Sequence, residues 1–280
     1  MQLKDALRQA VARLEADHVG SPRMNAEVLL MFVLDCNRAF LYAHPERELA
    51  ADEEARYEEA LEQRARGVPA QYITEHQEFW GLDFIVGPGV LIPRPETEHL
   101  VETVLELMKP VLRPRIVDVG TGSGCVALAL AAELPAAEIH ATEISAEALE
   151  FARANAARLA LEQRVRFYNT DLLAGLPSGG FDMVASNPPY VGASEQDKVQ
   201  LEVRKFEPRD AVFAGPDGLD IIRRLVPAAR LALKPGGWLA MEIGFSMEDS
   251  VRELLREWSD VRSVPDLQGI PRVVAARKPA

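Results

Sequence analysis

The chain is poor in cysteine and histidine and has fewer positive than negative charges, and each shortage removes a class of chemistry. Only two cysteines, Cys36 and Cys125, occur in 280 residues. Neither has a second cysteine or a spaced histidine cluster nearby, so no disulfide framework is expected and both thiols read as small buried hydrophobes. The five histidines, at 18, 44, 76, 99 and 140, are scattered, and no zinc or iron site is expected. Lys and Arg number 31 against 43 Asp and Glu, for a net charge of −12. Broad binding to phosphate backbones, which relies on cations displacing counterions, is therefore disfavoured, although a local basic patch is not. Long apolar runs are missing as well. The longest, such as residues 125–132, fall well short of the ~20 residues a membrane-spanning helix needs. The opening MQLKDALRQAVARLEAD mixes acids and bases without an apolar stretch, so neither a signal peptide nor a membrane partner is expected, and the location read from it is cytoplasmic. There is no repeat of fixed period and no low-complexity tract.

What is present is 48% hydrophobic and 26% charged, enough for one large domain and a smaller one. Apolar residues at 3, 6, 7, 10, 11 and 14 lie on one stripe of a helix. Ser21-Pro22 offers an N-cap and a first-turn proline for a helix running through Ala26 to Leu34, and Asp52 to Arg66 reads as a charged helix stopped by Gly67. Residues 1–75 are thus expected to be a small helical domain. Aromatic, β-branched, Gly and Pro residues then mix from Glu78 onward, which predicts a hairpin linker within 76–94. Pro95 can open a helix with Glu96 and Glu98 in its first turn.

From Arg115, short apolar strands alternate with helices. The strands are expected at Ile116–Val119, Ile139–Ala141, Val165–Tyr168, Phe181–Ala185 and Trp238–Ile243, with helices such as Ala148–Leu159 and Leu219–Leu233 between them. This βαβ alternation predicts an α/β fold over 95–280, with a mostly parallel sheet covered on both faces. Val261–Val264 and Arg272–Ala276 are joined by too few residues for a crossover helix, so they should pair antiparallel.

Glycines at 120, 122 and 124 follow the first of these strands and open a helix, allowing close backbone approach to a ligand. The G-x-G-x-G spacing is neither the phosphate-binding G-x-G-x-x-G nor a P-loop. Nineteen residues after Gly124, Glu143 ends the next strand, where a carboxylate can accept hydrogen bonds from both hydroxyls of a ribose. The third strand leads to Asp171 and Leu172, placed to hold an adenine edge and pack its face. The fourth leads into Ser186-Asn187-Pro188-Pro189-Tyr190. Two prolines cannot continue a central strand, and the tetrapeptide would face the reactive end of a bound nucleoside. A planar amide nitrogen, its lone pair delocalised, attacks an electrophile only when acceptors hold its N–H groups and aim it. Asn187 offers a side-chain oxygen, Pro188 a rigid main-chain carbonyl and Tyr190 a π face. A strand-terminating turn is the alternative reading of Asn-Pro-Pro.

Eight segments carry a resemblance beyond these motifs: E-F-W-G-L-D-F at 78–84, L-I-P-R-P-E-T-E at 91–98, V-D-V-G-T-G-S-G at 117–124, S-N-P-P-Y-V at 186–191, F-E-P-R at 206–209, G-L-D-I-I at 218–222, L-K-P-G-G at 233–237 and G-I-P-R at 269–272. Together they resemble the bacterial release factor glutamine methyltransferases over essentially the full chain. The resemblance implies a seven-stranded, mostly parallel Rossmann-like methyltransferase sheet with a small N-terminal helical domain that grips the substrate. It implies S-adenosyl-L-methionine as methyl donor and, as acceptor, the glutamine of the Gly-Gly-Gln loop of peptide chain release factors. By the same resemblance Gly120, Thr121, Gly122, Ser123, Gly124, Glu143, Asp171, Leu172 and Asn187 bind the cofactor. Asn187, Pro188, Pro189 and Tyr190 form the glutamine pocket, with Asn187, Pro188 and Tyr190 catalytic. The family often has Asp at the position of Glu143 and a bulky aromatic at that of Leu172. Arg94 and Thr97 would either line the cofactor's methionine end or the substrate channel, or belong to a rigid turn with a helix cap.

Other readings share parts of this pattern. A ribosomal protein glutamine methyltransferase has the same core. A DNA or RNA adenine-amino methyltransferase would present a flipped base to the same tetrapeptide, but the acidic chain shows no basic recognition domain, so no nucleic-acid substrate is expected. A nicotinamide-dependent oxidoreductase would need the missing glycine spacing and a hydride-transfer acid or base. A catalytically silent nucleoside-binding scaffold would not need both motifs intact.

Overall fold

The computed structural model describes residues 1–280, and the chain divides into two compact units, Met1–His76 with Gln200–Phe206, and Gln77–Val199 with Glu207–Ala280. In the first unit, helices α1 (Leu3–Ala16), α2 (Pro22–Leu34), α3 (Arg38–Ala43), α4 (Ala51–Ala65) and α5 (Ala70–Thr74) enclose a core. Leu3, Ala6, Ala10 and Leu14 supply the buried stripe of α1, packed with Leu29 and Leu30 of α2 and Leu61 of α4. The Tyr57 hydroxyl donates to the Ala26 carbonyl at 2.9 Å, joining α4 to α2. Ser21 does not cap α2 through its side chain: it is left-handed, at φ 51°. The Asn25 amide instead donates back to the Gly20 and Ser21 carbonyls at 2.8 and 3.1 Å. Cys36 is half-buried, not buried as expected, because it lies in the turn after α2.

The second unit opens with a hairpin of β1 (His76–Phe79) and β2 (Leu82–Ile85). A 3₁₀ turn at Pro95–Thr97 leads into α6 (Glu98–Met108), and the alternation follows: β3 (Arg115–Val119), α7 (Cys125–Glu133), β4 (Glu138–Glu143), α8 (Ala146–Arg158), β5 (Val165–Asn169) and β6 (Phe181–Ser186). After β6 come two short helices, α9 (Leu201–Phe206), which belongs to the first unit, and α10 (Arg209–Val212). Then follow α11 (Asp220–Ala232), β7 (Leu233–Glu242), α12 (Glu248–Leu254), β8 (Ser259–Pro265) and β9 (Pro271–Arg277). Leu233 starts β7 instead of ending α11, pairing with Phe181 ahead of a bulge.

The seven strands run in the order β5-β4-β3-β6-β7-β9-β8. The pairs among β3 to β7 are parallel, and β9 is antiparallel to β7 and β8. Strands covered on both faces must be apolar on both. Ile116, Met183 and Ala240 pack with α6 and α7, while Val117, Val184, Leu239 and Met241 pack with α11 and α12. The fully buried Asn155 of α8 ties hairpin to sheet: it accepts from the Ile85 amide at 2.6 Å and donates to the carbonyls of Ile85 at 3.0 Å and Ser123 at 2.9 Å.

The chain beyond β6 is held by a second strand-like contact. The Val191 amide donates to Val212 O at 3.0 Å, Ala214 N to Val191 O at 3.0 Å and Ala193 N to Gly215 O at 3.0 Å. Gly218, at φ +78°, lies so close that a Cβ there would sit 2.2 Å from the Tyr190 carbonyl oxygen. Gly218→Ala must therefore displace main chain, and is expected to lower Tm by roughly 4–8 °C in thermal unfolding. Activity should fall more than cofactor affinity, because the displaced segment begins at Tyr190.

Candidate functional site

The winding of the sheet sets the site. From β3 the chain winds outward through β4 to β5, then returns to place β6 on the other side of β3, so strand order reverses between β3 and β6. Ligands of open α/β sheets bind beyond the carboxyl ends of the strands at such a point. Val119 pairs with Ser186, and the Ser186 hydroxyl donates to the Val119 carbonyl at 2.7 Å. The residues that follow, Gly120 and Asn187, consequently leave the sheet side by side.

Gly120, Gly122 and Gly124 have φ of +72°, +54° and +85°, a region costly for other residues. A Cβ at Gly120 would meet no atom within 4 Å, whereas one at Gly124 would press on Leu128 and Ala152. The loop is thus packed on its helix side and open at Gly120. Glu143 closes it: Oε2 accepts from the Gly122 amide at 2.9 Å and Oε1 from the Ser145 amide at 2.9 Å. Both oxygens keep a further lone pair, so ribose hydroxyls could still be accepted there. The next residue, Ile144, is exposed, an apolar surface beside that carboxylate. A glycine loop open at one end, a carboxylate at the next strand end and an apolar neighbour fit a nucleoside.

Thr121 and Ser123 are buried and turned to protein. The Thr121 hydroxyl donates to Asp118 Oδ2 at 2.6 Å, and the Ser123 hydroxyl lies beside the Cys125 thiol. Leu172 adopts φ 50° and packs half-buried against the α11 and α12 face of the sheet. Asp171, expected to hold an adenine edge, has its carboxylate paired with Arg224 of α11.

At the end of β6, Pro188 is buried and Asn187, Pro189 and Tyr190 are half-buried. Asn187 Nδ2 donates to Thr97 Oγ1 at 3.0 Å. The Tyr190 hydroxyl donates to Glu242 Oε1 at 3.2 Å. No group of the protein donates to Asn187 Oδ1 or to the Pro188 carbonyl, so two acceptors remain unfilled at this corner. Tyr190 leans on the α11 and α12 cluster, and burial together with Glu242 raises its phenol well above the ordinary range.

Three residues of this corner escaped the sequence reading or were left undecided. Arg94 is an anchor: its guanidinium pairs with Glu207, whose side chain is buried and also accepts from the Ile92 amide at 3.2 Å. Thr97 is buried and lies against Asn187. Glu242 was not singled out at all, although its signal was present: an acid ends the otherwise apolar run Trp238-Leu-Ala-Met of a central strand. Charged side chains are almost never fully buried unless paired.

Of the buried carboxylates around the site, Asp118 and Glu242 are strongly shifted. Desolvation pushes Asp118 up to about 7, against hydrogen bonds from Thr121 and the Ala127 amide. Desolvation likewise pushes Glu242 up to about 7, against the hydroxyls of Thr97 and Tyr190. A carboxyl group with a raised folded-state pKa binds protons that the unfolded chain has already released. Stability is therefore expected to fall as pH rises from about 4.5 to about 7. Denaturant titrations at several pH values check this, and Glu242→Gln or Asp118→Asn should each remove on the order of 3 kcal/mol of the pH dependence.

The chain's relatives agree with this architecture. A model described as the PrmC N-terminal domain matches residues 5–74, and one described as the methyltransferase small domain matches residues 96–205. A release factor glutamine methyltransferase of Koribacter versatilis is 58% identical over 280 residues, covering 100% of this chain and 99% of the relative. One of Moorella thermoacetica is 45% identical over 279 residues, covering 99% and 98%. Among solved structures, the hMettl16 catalytic domain in complex with MAT2A 3′UTR hairpin 6 has a similar fold, with a TM-score of 0.58 at 20% identity over 74% of this chain and 79% of that one. That likeness concerns the fold alone. Full-length identity at these levels identifies an enzyme, a methyltransferase, and the chain belongs to the release factor glutamine methyltransferase family.

Proposed function

We propose that the protein methylates the side-chain amide nitrogen of the glutamine in the Gly-Gly-Gln loop of peptide chain release factors, in the cytoplasm, with S-adenosyl-L-methionine as donor. The observation that carries this reading is the pair of unfilled acceptors, Asn187 Oδ1 and the Pro188 carbonyl, beside the open end of the glycine loop. A primary amide has two N–H donors, and two fixed acceptors satisfy both while turning the nitrogen's remaining face toward the glycine loop. The relatives named as release factor glutamine methyltransferases, matched along their whole length, support the choice of acceptor.

Gly120 to Gly124 and Glu143 would hold the nucleoside, with Ile144 and Leu172 on its apolar faces. When bound, S-adenosyl-L-methionine supplies an electrophilic methyl group on a sulfonium centre. The protein's own groups do the rest. Asn187 and Pro188 hold the N–H groups, which fixes the orientation of the amide nitrogen and raises its electron density. Pro188 and Pro189 restrict the backbone, so the carbonyl needs little reorganisation. The Tyr190 ring offers a flat apolar wall, fixed by its hydroxyl on Glu242. A strong base is unnecessary, since the amide nitrogen becomes acidic as it is methylated.

Asn187→Ala should bind S-adenosyl-L-methionine normally, as read by calorimetry, while losing methyl transfer about 100-fold or more. Near-normal turnover would refute the mechanism. The acceptor is tested by radiolabelled methyl transfer to purified release factor, wild type against a variant lacking the loop glutamine, with ribosomal protein and DNA as competing acceptors. Label is expected on the wild-type factor alone, and label on the glutamine-less variant would overturn the assignment.

A further inference from the structure

We infer that Thr97 and Glu242 are positioning residues that decide which end of the Asn187 amide faces the acceptor. Glu242 takes the proton of the Thr97 hydroxyl, the Thr97 oxygen accepts from Asn187 Nδ2, and Asn187 Oδ1 is thereby left to face the acceptor nitrogen. This inference rests on the function proposed above.

The two ends of a carboxamide have nearly the same shape and opposite hydrogen-bonding character. With its –NH₂ toward the site, Asn187 would meet the N–H groups of another amide donor to donor. Shape therefore cannot select between the two orientations, and a hydrogen-bonding partner on the far side must choose. That partner is Thr97 Oγ1, 3.0 Å from Asn187 Nδ2. A hydroxyl alone does not choose, because it can donate to Oδ1 as readily as it accepts from Nδ2. Its single proton has to be claimed elsewhere. Glu242 can claim it: the carboxylate is 2% exposed, lies beside the Thr97 hydroxyl, and has no donor to Oε2. Its Oε1 accepts from Tyr190, so one buried anion orients both side chains of the tetrapeptide. Burying a carboxylate carries a large desolvation penalty, which packing alone would not require at the end of an apolar strand.

The relay depends on charge. A protonated Glu242 could donate to Thr97 and compete with Asn187 for its lone pairs. Burial holds Glu242 near 7, so the polarity of the relay should change around neutrality. The groups that face Glu242 are Thr97 and Glu96 of the 3₁₀ turn, Tyr190, Arg272 of β9 and Cys125 of α7. Glu96 opposes its ionisation and Arg272 favours it.

Three variants of the full-length protein test this. Thr97→Val keeps shape without the hydroxyl and should lower kcat about tenfold or more, with the dissociation constant of S-adenosyl-L-methionine within about twofold of wild type. Thr97→Ser restores the hydroxyl and should recover most of kcat. Glu242→Gln should resemble Thr97→Val and flatten the pH profile of kcat near 7. A second readout needs no acceptor. In ¹⁵N-labelled protein the Asn187 side-chain amide resonances should titrate with a midpoint near 7, persist in Asp118→Asn and become flat in Glu242→Gln. Thr97→Val with kcat within twofold of wild type, or an Asn187 titration that survives Glu242→Gln, overturns the relay. Wild-type protein that shows the titration but leaves release factor unmethylated supports the relay and refutes only the acceptor.

Discussion

The requirement that β3 and β6 end in step, on either side of the reversal in strand order, governs the rest of the site. Each strand is a parallel neighbour of the other, and the Ser186 hydroxyl on the Val119 carbonyl locks their last residues together. A one-residue slip would turn every side chain of β6 to the opposite face of the sheet. It would also separate the glycine loop from Asn187. The apolar content of both strands on both faces makes that slip expensive, so the geometry of the site is secured by the core beneath it. β4 and β7 flank this pair and contribute one acid each from their last positions, Glu143 and Glu242.

Those two acids serve different ends because their surroundings differ. Glu143 is met by two backbone amides, those of Gly122 and Ser145. Glu242 has only hydroxyl partners and one oxygen without any, so desolvation dominates and its ionisation is displaced toward neutrality. Position along a strand is the same for both. Glu143 engages main-chain amides with both oxygens, whereas Glu242 meets side-chain hydroxyls and keeps one oxygen without a donor.

Much of the fold was legible in the sequence because its signals are local. Apolar strands flanked by helices, the glycine triplet and the double proline each report on a few consecutive residues, and the structure has its parallel strands where those runs lie. The glycine loop and Asn187 could be placed at one end of the sheet from the winding rule alone. What stayed hidden depends on partners distant in sequence. Thr97 and Asn187 are 90 residues apart and Arg94 and Glu207 are 113 apart, and no periodicity connects them. Asp171 lies two residues beyond the end of β5, and its carboxylate pairs with Arg224 of α11, a partner 53 residues away. The short helices between β6 and α11 were invisible because four to six residues carry too little pattern to read.

The long connection after Tyr190 ties the two units by the chain itself. It leaves the methyltransferase unit at Val199, contributes α9 to the helical unit, and returns at Glu207. Each side of that crossing carries an Arg–Glu pair with one buried partner, Arg64 in one unit and Glu207 in the other. In the helical unit Arg64, 7% exposed, bonds Asn25 Oδ1 at 2.7 Å, the Val68 carbonyl at 3.0 Å and Glu202 of α9 at 2.8 Å. In the other unit Glu207 pairs with Arg94. Removing one partner of a buried guanidinium would strand its charge. Arg94 lies three residues before Thr97, and Glu207 lies at the point of return, so the anchor of the crossing and the partner of Asn187 share one short turn.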